Sequence, residues 1–392
     1  MTLPSTTPSP LPTPVSRPHA TSNGRLAELD ALRGIAAFIV VLHHAYLTLP
    51  DLPDALDWLL TETPLRPISM GRQAVVFFFV LSGFVLTRAL AAQEDKHPGS
   101  VLSLPGWGHY AAQRAVRLGL PVLASLLLSA LLQAAFWRAP LPEGAPHIVV
   151  GAAWSEMWSL SALAQQALLL SSGDGFQLNP VLWSLVHEWR IALLLPFALL
   201  FRGRLALLLA VSLIGAGIAR MAGMPEGQVS LGENLGETFA ASAGFLPAFA
   251  AGAALALWKA APRLDHGQNL AAGIAVLVMM AAASDYGVIA ASVLLIMMAQ
   301  RGGAFAAWLR QPALLWLGRV SFSLYLVHMP VLLALTHLLR DADLPYLVAA
   351  LAIPLSLPVA AAMNRFVEQP AHRLARGLRA PAPAGRLARR AG

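Results

Sequence analysis

The chain contains no cysteine. That excludes disulfides, zinc-thiolate centres and a cysteine nucleophile, and leaves the compartment open. Charge is also scarce: Asp, Glu, Lys and Arg make up 12% of 392 residues while 57% are hydrophobic, which is too little polar surface to enclose a soluble core of this size. A lipid bilayer is the expected solvent. The apolar runs are continuous rather than alternating, and backbone groups in hydrocarbon must be satisfied internally, so helices are expected and a barrel is not. No Walker motif, Rossmann glycine fingerprint, metal-ligand run or internal repeat is present. The formal net charge of +7 raises the question of a nucleic-acid partner, but the basic residues sit at the ends of apolar segments, where membrane topology alone places them. No nucleic-acid partner is expected.

What is there reads as an all-α, polytopic membrane helix bundle. Residues 1–24 are rich in Pro, Ser and Thr without an apolar core, and are expected to form a disordered tail rather than a signal peptide. Spans are expected near 31–49, 73–91, 118–137, 181–201, 205–220, 244–258, 268–283, 287–300, 313–338 and 345–364, about ten helices, several of them shorter than the ~20 residues of a full crossing. The segment 148–170 carries Trp154, Glu156, Trp158, Gln165 and Gln166, and is expected to be an extracytoplasmic loop or interfacial helix. Residues 25–370 then form the membrane domain and 371–392 a basic tail. With this arrangement most of the 27 Lys and Arg, Arg33, Arg114, Arg117, Arg202, Arg310 and Arg319 among them, fall on one side together with both ends of the chain. Both termini are therefore expected to be cytoplasmic.

A titratable side chain inside a span costs at least a few kcal/mol, so each one asks for a reason. Arg33 and His44 lie eleven positions apart, which on a helix is the same face to within about 20° and a rise of about 16 Å. His43 points about 80° away from Arg33 by the same arithmetic, and adjacent histidines on a helix cannot chelate one metal. The plain alternative makes Arg33 a topology anchor and His44 a helix-packing residue. In the run NPVLWSLVHE (179–188), Ser184 and Glu188 are one turn apart beside Trp183; Glu188 falls at a depth comparable to that of His44, where a carboxylate can orient an imidazole. Ser184, His187 and Glu188 on one helix cannot make a hydrolytic triad among themselves. Ser82 and Gly83 place a small polar pair in an aromatic helix, suited to close packing or to a narrow tunnel. Arg114 and Arg117, three apart beside Tyr110, suit a phosphate clamp, and the positive-inside rule explains them equally. Ser321, Tyr325 and His328 share one helix face at i, i+4 and i+7, a face that belongs to a cavity more often than to lipid.

These residues give the chain a resemblance to the bacterial membrane acyltransferase-3 family. The matching stretches are LDALRGIAAFIVVLHH (29–44), VFFFVLSGF (76–84), Tyr110 with Arg114 and Arg117, LWSLVHE (182–188), LGRVSFSLYLVHMPV (317–331) and RFVEQP (365–370), in the family's order across nearly the whole chain. The resemblance implies a ten-span bundle with cytoplasmic termini in the bacterial inner membrane. It also implies an O-acyltransferase with acyl-CoA, most often acetyl-CoA, as donor, no metal, and a hydroxyl of a carbohydrate or other small molecule as acceptor. Functional weight passes to Arg33 and His44, not to His43. One departure is that Trp189 and Arg190 follow Glu188, where the family usually has a polar and aromatic run resembling Glu-Gln-Phe-Tyr.

The combined expectation is that Arg33, Arg114 and Arg117 hold the coenzyme A phosphates, with Ser82 near the thioester, and that Trp183, Ser184, Tyr325 and His328 line the substrate cavity. His44, oriented by a carboxylate such as Glu188, then acts as general base on the acceptor hydroxyl or briefly carries the acyl group. The alternative is a transporter or flippase of a glycolipid or small metabolite, whose intramembrane His, Glu and Arg would form a proton or substrate path.

Overall fold

The computed structural model describes residues 27–378 apart from 51, 64, 142–152, 170–175, 225–230, 233, 259–265, 282–283, 301–302 and 343. The expected tail at 1–24 and the part 379–392 of the expected tail at 371–392 lie outside the described residues. The chain runs through α1 (Ala27–Tyr46), α2 (Asp54–Thr61), α3 (Gly71–Lys96), α4 (Leu104–Phe136), α5 (Leu160–Ala167) and α6 (Leu182–Leu194), which continues as a 3-10 stretch to Phe201. It goes on through α7 (Leu205–Met221), α8 (Leu235–Gly244), α9 (Leu246–Leu257), α10 (His266–Ala281), α11 (Asp285–Gln300) and α12 (Gly303–Leu309). The last elements are α13 (Pro312–Leu338), α14 (Pro345–Met363), a π turn at Asn364–Glu368 and α15 (Gln369–Gly377). No strand occurs among the described residues. The protein is an all-α membrane bundle.

Each expected span overlaps an apolar helix. Among the described residues six of these are long and apolar enough to cross a bilayer, or eight if α8 with α9 (bent by 43°) and α11 with α12 (bent by 90°) each count as one; α7 and α10 are apolar but shorter. The expected basic tail starts as structure, since α15 packs Ala371 and Ala375 inward and turns Arg373, Leu374 and Arg376 outward.

The described part of 148–170 behaves in two ways. The eight residues of α5 are too few to cross the ~30 Å hydrocarbon layer, and Leu160 and Leu168 at its ends are exposed, as an interfacial helix requires. Before it the chain turns inward at Ala153 and Trp154, while 156–159 are exposed. Trp154 is fully enclosed, donates from Nε1 to Ser129 Oγ (3.1 Å) and accepts from Trp137 Nε1 at its carbonyl (2.7 Å). Gln133 holds Glu156 O (2.7 Å) and Trp158 N (3.1 Å).

Two helix crossings are so close that only glycine fits. A Cβ on Gly34 would lie 2.5 Å from Gly318 N, and one on Gly318 would lie 2.3 Å from Asp30 O, so α1 and α13 meet backbone to backbone. Gly83 and Gly252 do the same for α3 and α9, at 2.2 Å from Phe249 O and 1.9 Å from Val80 O. Around these crossings α13 becomes the central helix: most of it is buried, whereas most of the stretch containing α14 is not.

Two prolines leave backbone gaps that neighbouring side chains fill. Pro330 inside α13 has no N–H for Leu326 O one turn earlier, and Asn179 Nδ2 donates to that carbonyl at 2.9 Å. Pro196 likewise has no N–H for Ala192 O, which accepts instead from Leu195 N and from Tyr110 Oη (2.9 Å). The first contact fixes the start of α6 against the middle of α13. The second, with Trp107 Nε1 on Leu193 O (2.9 Å), fixes the end of α6 against α4.

Candidate active site

Between these helices lies a cavity of about 650 Å³. Arg33 enters it from α1, where Nε donates to Ser321 Oγ (3.0 Å) and Nη2 to Asp30 Oδ1 (2.8 Å). The glycine crossing of α1 and α13 allows the first contact, since it brings Ser321 and also Gly318 O (3.4 Å from Nη2) within reach of the Arg33 guanidinium. Ser184 and Glu188 enter from one face of α6. Arg114 Nη2 on α4 and Ser82 Oγ on α3 both donate to Glu188 Oε1, at 3.0 and 3.2 Å. Glu368, presented by the π turn, accepts at Oε2 from Ser323 Oγ (2.6 Å) and Asn364 Nδ2 (2.9 Å).

The charges sort by depth. Arg33 and Arg114 are each matched by a carboxylate, while the exposed cations Arg88, Arg117 and Arg376 also line the cavity. Arg117 has no hydrogen-bond or ion-pair partner among the described residues. The wall beyond them is apolar and aromatic, with Val75, Phe78, Phe79, Phe84 and Phe322. The cavity ends at Tyr325, whose hydroxyl lies 2.6 Å from Ser184 Oγ and donates to Val181 O at 2.9 Å. A cationic mouth, an apolar throat and a hydroxyl pair at the end suit an elongated molecule with an anionic head and a neutral tail.

His44 lies past that end. Its Nδ1 is 2.9 Å from Val40 O and 3.2 Å from His328 Nε2, and neither ring lines the cavity. Tyr325 stands between: its ring is 6.1 Å from that of Phe78 on the cavity side and 5.9 Å from that of His328 on the other.

The structure therefore brings Arg33, Ser82, Arg114, Arg117, Ser184, Glu188 and Tyr325 to one cavity and pairs His44 with His328 beyond it. Three expectations need correction. Glu188 does not orient His44, because counting turns from the helix start misjudges its depth. Val181 and Ser184 already meet Tyr325, so Glu188, a further turn on, falls at the level of Arg33, where the Arg114 guanidinium claims it. Ser82 keeps its expected place on the cavity wall, where it donates to Glu188 Oε1. His328 is a partner of His44 instead of a cavity residue, and Trp183 turns to the opposite face of α6, against His187 (5.8 Å) and Phe245 (6.1 Å). Sequence reasoning missed Arg88, Glu368 and Arg376 as cavity residues. For Arg88 the signal was a charge inside an apolar helix; for Glu368 it was a motif read only for resemblance. Among the described residues no three His, Asp or Glu side chains converge as a metal site requires.

These features define an integral membrane protein with an internal cavity, cationic at one end and apolar beyond, and a histidine pair past its inner end. The acyltransferase-3 family, described as an acyltransferase domain, matches residues 26–365. The chain belongs to that family and is a membrane acyltransferase. Curated proteins and solved structures yield no match to it.

Proposed function

We propose that this acyltransferase takes an acyl group, most often acetyl, from acyl-CoA held in the cavity and transfers it to a hydroxyl of a carbohydrate or other small acceptor. The observation that carries the donor assignment is Arg117, a cation that makes no hydrogen bond or ion-pair contact among the described residues, at a mouth that also gathers Arg88 and Arg376. Diphosphate and phosphate groups are what such a cluster holds best, and the apolar throat suits a pantetheine arm. The Lys and Arg distribution supports a cytoplasmic mouth and cytoplasmic termini, hence a donor from the cytoplasm of a bacterium and an inner-membrane location. Membership in an acyltransferase family removes the ground for a transporter reading.

In the reaction, the acceptor oxygen attacks the thioester carbonyl carbon while its proton passes to the imidazole of His44. The C–S bond breaks, the ester is formed, and the coenzyme A thiolate leaves with the proton. Because Tyr325 separates cavity from imidazole, it must turn off Ser184 and Val181 in each cycle. Arg33 and Arg114 neutralise Asp30 and Glu188, and the Glu368 carboxylate is held by Ser323 and Asn364, so each carboxylate lining the cavity has a partner of its own.

The test is acetyl-CoA binding and acyl transfer by the full chain in nanodiscs. His44→Ala is expected to bind without transferring. Arg117→Ala is expected to weaken binding by roughly tenfold or more, the value of one charge-assisted contact. A folded wild type that binds no acyl-CoA would remove the donor and with it this reading.

A further inference from the structure

We infer that His328 is a positioning residue that holds His44 in one tautomer, with the proton on Nδ1 and the lone pair on Nε2. The argument starts from two carbonyl oxygens, which can only accept. Leu324 O lies 3.1 Å from His328 Nδ1, so that nitrogen carries the proton. In a neutral ring Nε2 of His328 is then a bare acceptor. Val40 O lies 2.9 Å from His44 Nδ1, so that nitrogen also carries a proton, and the bare Nε2 of His328 at 3.2 Å accepts from it as a second partner.

The opposite tautomer of His44 would set an Nδ1 lone pair against both Val40 O and the lone pair of His328. A charged His328 would donate from Nε2 to an atom that already carries a proton. Neither arrangement fits, so α13 imposes its backbone polarity on α1 through one imidazole. The position of that imidazole is itself fixed. His328 is almost completely enclosed, and Asn179 secures the adjacent turn of α13 through Leu326 O. His44 Nε2 meets no hydrogen-bonding group among the described residues, so it is the nitrogen left for a substrate proton. Orienters of this kind set which nitrogen of a catalytic histidine does the chemistry.

The inference rests on the transferase reading only for its consequence in catalysis; the tautomer stands on geometry alone, and the experiment has one arm for each. The full chain, labelled with ¹⁵N-histidine and held in lipid, is examined by magic-angle-spinning NMR, with His44 assigned by its disappearance in His44→Gln. The expected wild-type spectrum shows a protonated Nδ1 and a bare Nε2 for His44. In His328→Phe, which keeps a ring and leaves Val40 O as the one remaining acceptor for Nδ1–H, a measurable share of the other His44 tautomer is expected beside the first. In the kinetic arm, His328→Phe lowers kcat by about tenfold or more at unchanged KM for acyl-CoA, the scale of lost orienting contacts. His328→Gln, whose Oε1 reaches the place of Nε2, restores most of it.

A bare Nδ1 on wild-type His44 overturns the inference without need of any variant, and so does an unchanged His44 spectrum in folded His328→Phe. Glutamine and phenylalanine acting alike in folded protein would equally overturn it. Absence of transfer from any acyl-CoA in folded wild type would instead sink the transferase reading, and the spectrum would still decide the tautomer.

Discussion

Tyr325 and Ser184 close the inner end of the cavity hydroxyl to hydroxyl, 2.6 Å apart, with Val181 O as the further partner of the phenol. The contact joins the central helix α13 to α6 and places an aromatic ring between the cavity and the imidazole of His44. Cavity and imidazole are held apart by one side chain that two hydrogen bonds keep in place.

A barrier of this kind is directly measurable, because a chain without cysteine accepts a single-cysteine reporter with no background. His44→Cys is labelled from the mouth side of the bundle, in vesicles, with a small membrane-impermeant thiol reagent. Labelling is expected to be slow with Tyr325 in place and much faster with Tyr325→Ala. Equal rates in the two backgrounds would mean that Tyr325 blocks nothing.

The Glu188–Arg114 pair is a second test. Their side chains are 17% and 9% exposed, and removing one partner of an enclosed pair leaves a charge without compensation. Glu188→Ala is expected to destabilise the folded protein by about 3 kcal/mol, read as a loss of thermal stability in detergent. Arg114→Leu in the same chain should recover a large part of that loss. If the single changes simply add, the two side chains do not interact.

The backbone crossing of α3 and α9 gives a third. A methyl group at Gly252 would sit 1.9 Å from Val80 O, so Gly252→Ala must push the helices apart. A cost of about 1–3 kcal/mol is expected. Gly217 in α7 has open space around its added Cβ, and Gly217→Ala is expected to be neutral or to stabilise by up to about 1 kcal/mol. Equal stability of the two variants would contradict the crossing.

How far the sequence foretold this arrangement depends on whether one helix or two were needed. The shared face of Ser321, Tyr325 and His328 and the one-turn spacing of Ser184 and Glu188 follow from periodicity, and the polar faces of α13 and α6 were legible for that reason. The partners of those faces were not. Whether Glu188 meets His44 or Arg114 depends on how far α6 slides along α13. That offset is set by Asn179 on Leu326 O and by the Tyr325 hydroxyl on Ser184 and Val181, contacts that leave no periodic mark. Trp183 was misplaced because an aromatic next to a polar pair was taken to share its side, although adjacent helix positions diverge by about 100°. Trp154 lies in a non-helical stretch, with a positive φ of 55°, and periodicity carries no information about which way such a residue turns.

The offset itself yields the last prediction. Pro330 leaves Leu326 O without a helical partner, and Asn179 Nδ2 supplies one from the start of α6. Asn179→Ala leaves a buried carbonyl without a partner and is expected to cost about 1–3 kcal/mol. It also frees α6 to slide, so acyl transfer should fall along with stability. Pro330→Ala alone restores an N–H at the right place in α13, which then competes with Asn179 for the same oxygen. In the double variant, Asn179→Ala with Pro330→Ala, the restored N–H satisfies Leu326 O from within its own helix, and stability is expected to recover most of what Asn179→Ala lost. Acyl transfer should not recover with it, because the helix is mended while the tie between α6 and α13 remains cut. Recovery of both would show that Asn179 serves the carbonyl alone. Recovery of neither would show that the proline and the asparagine are not coupled.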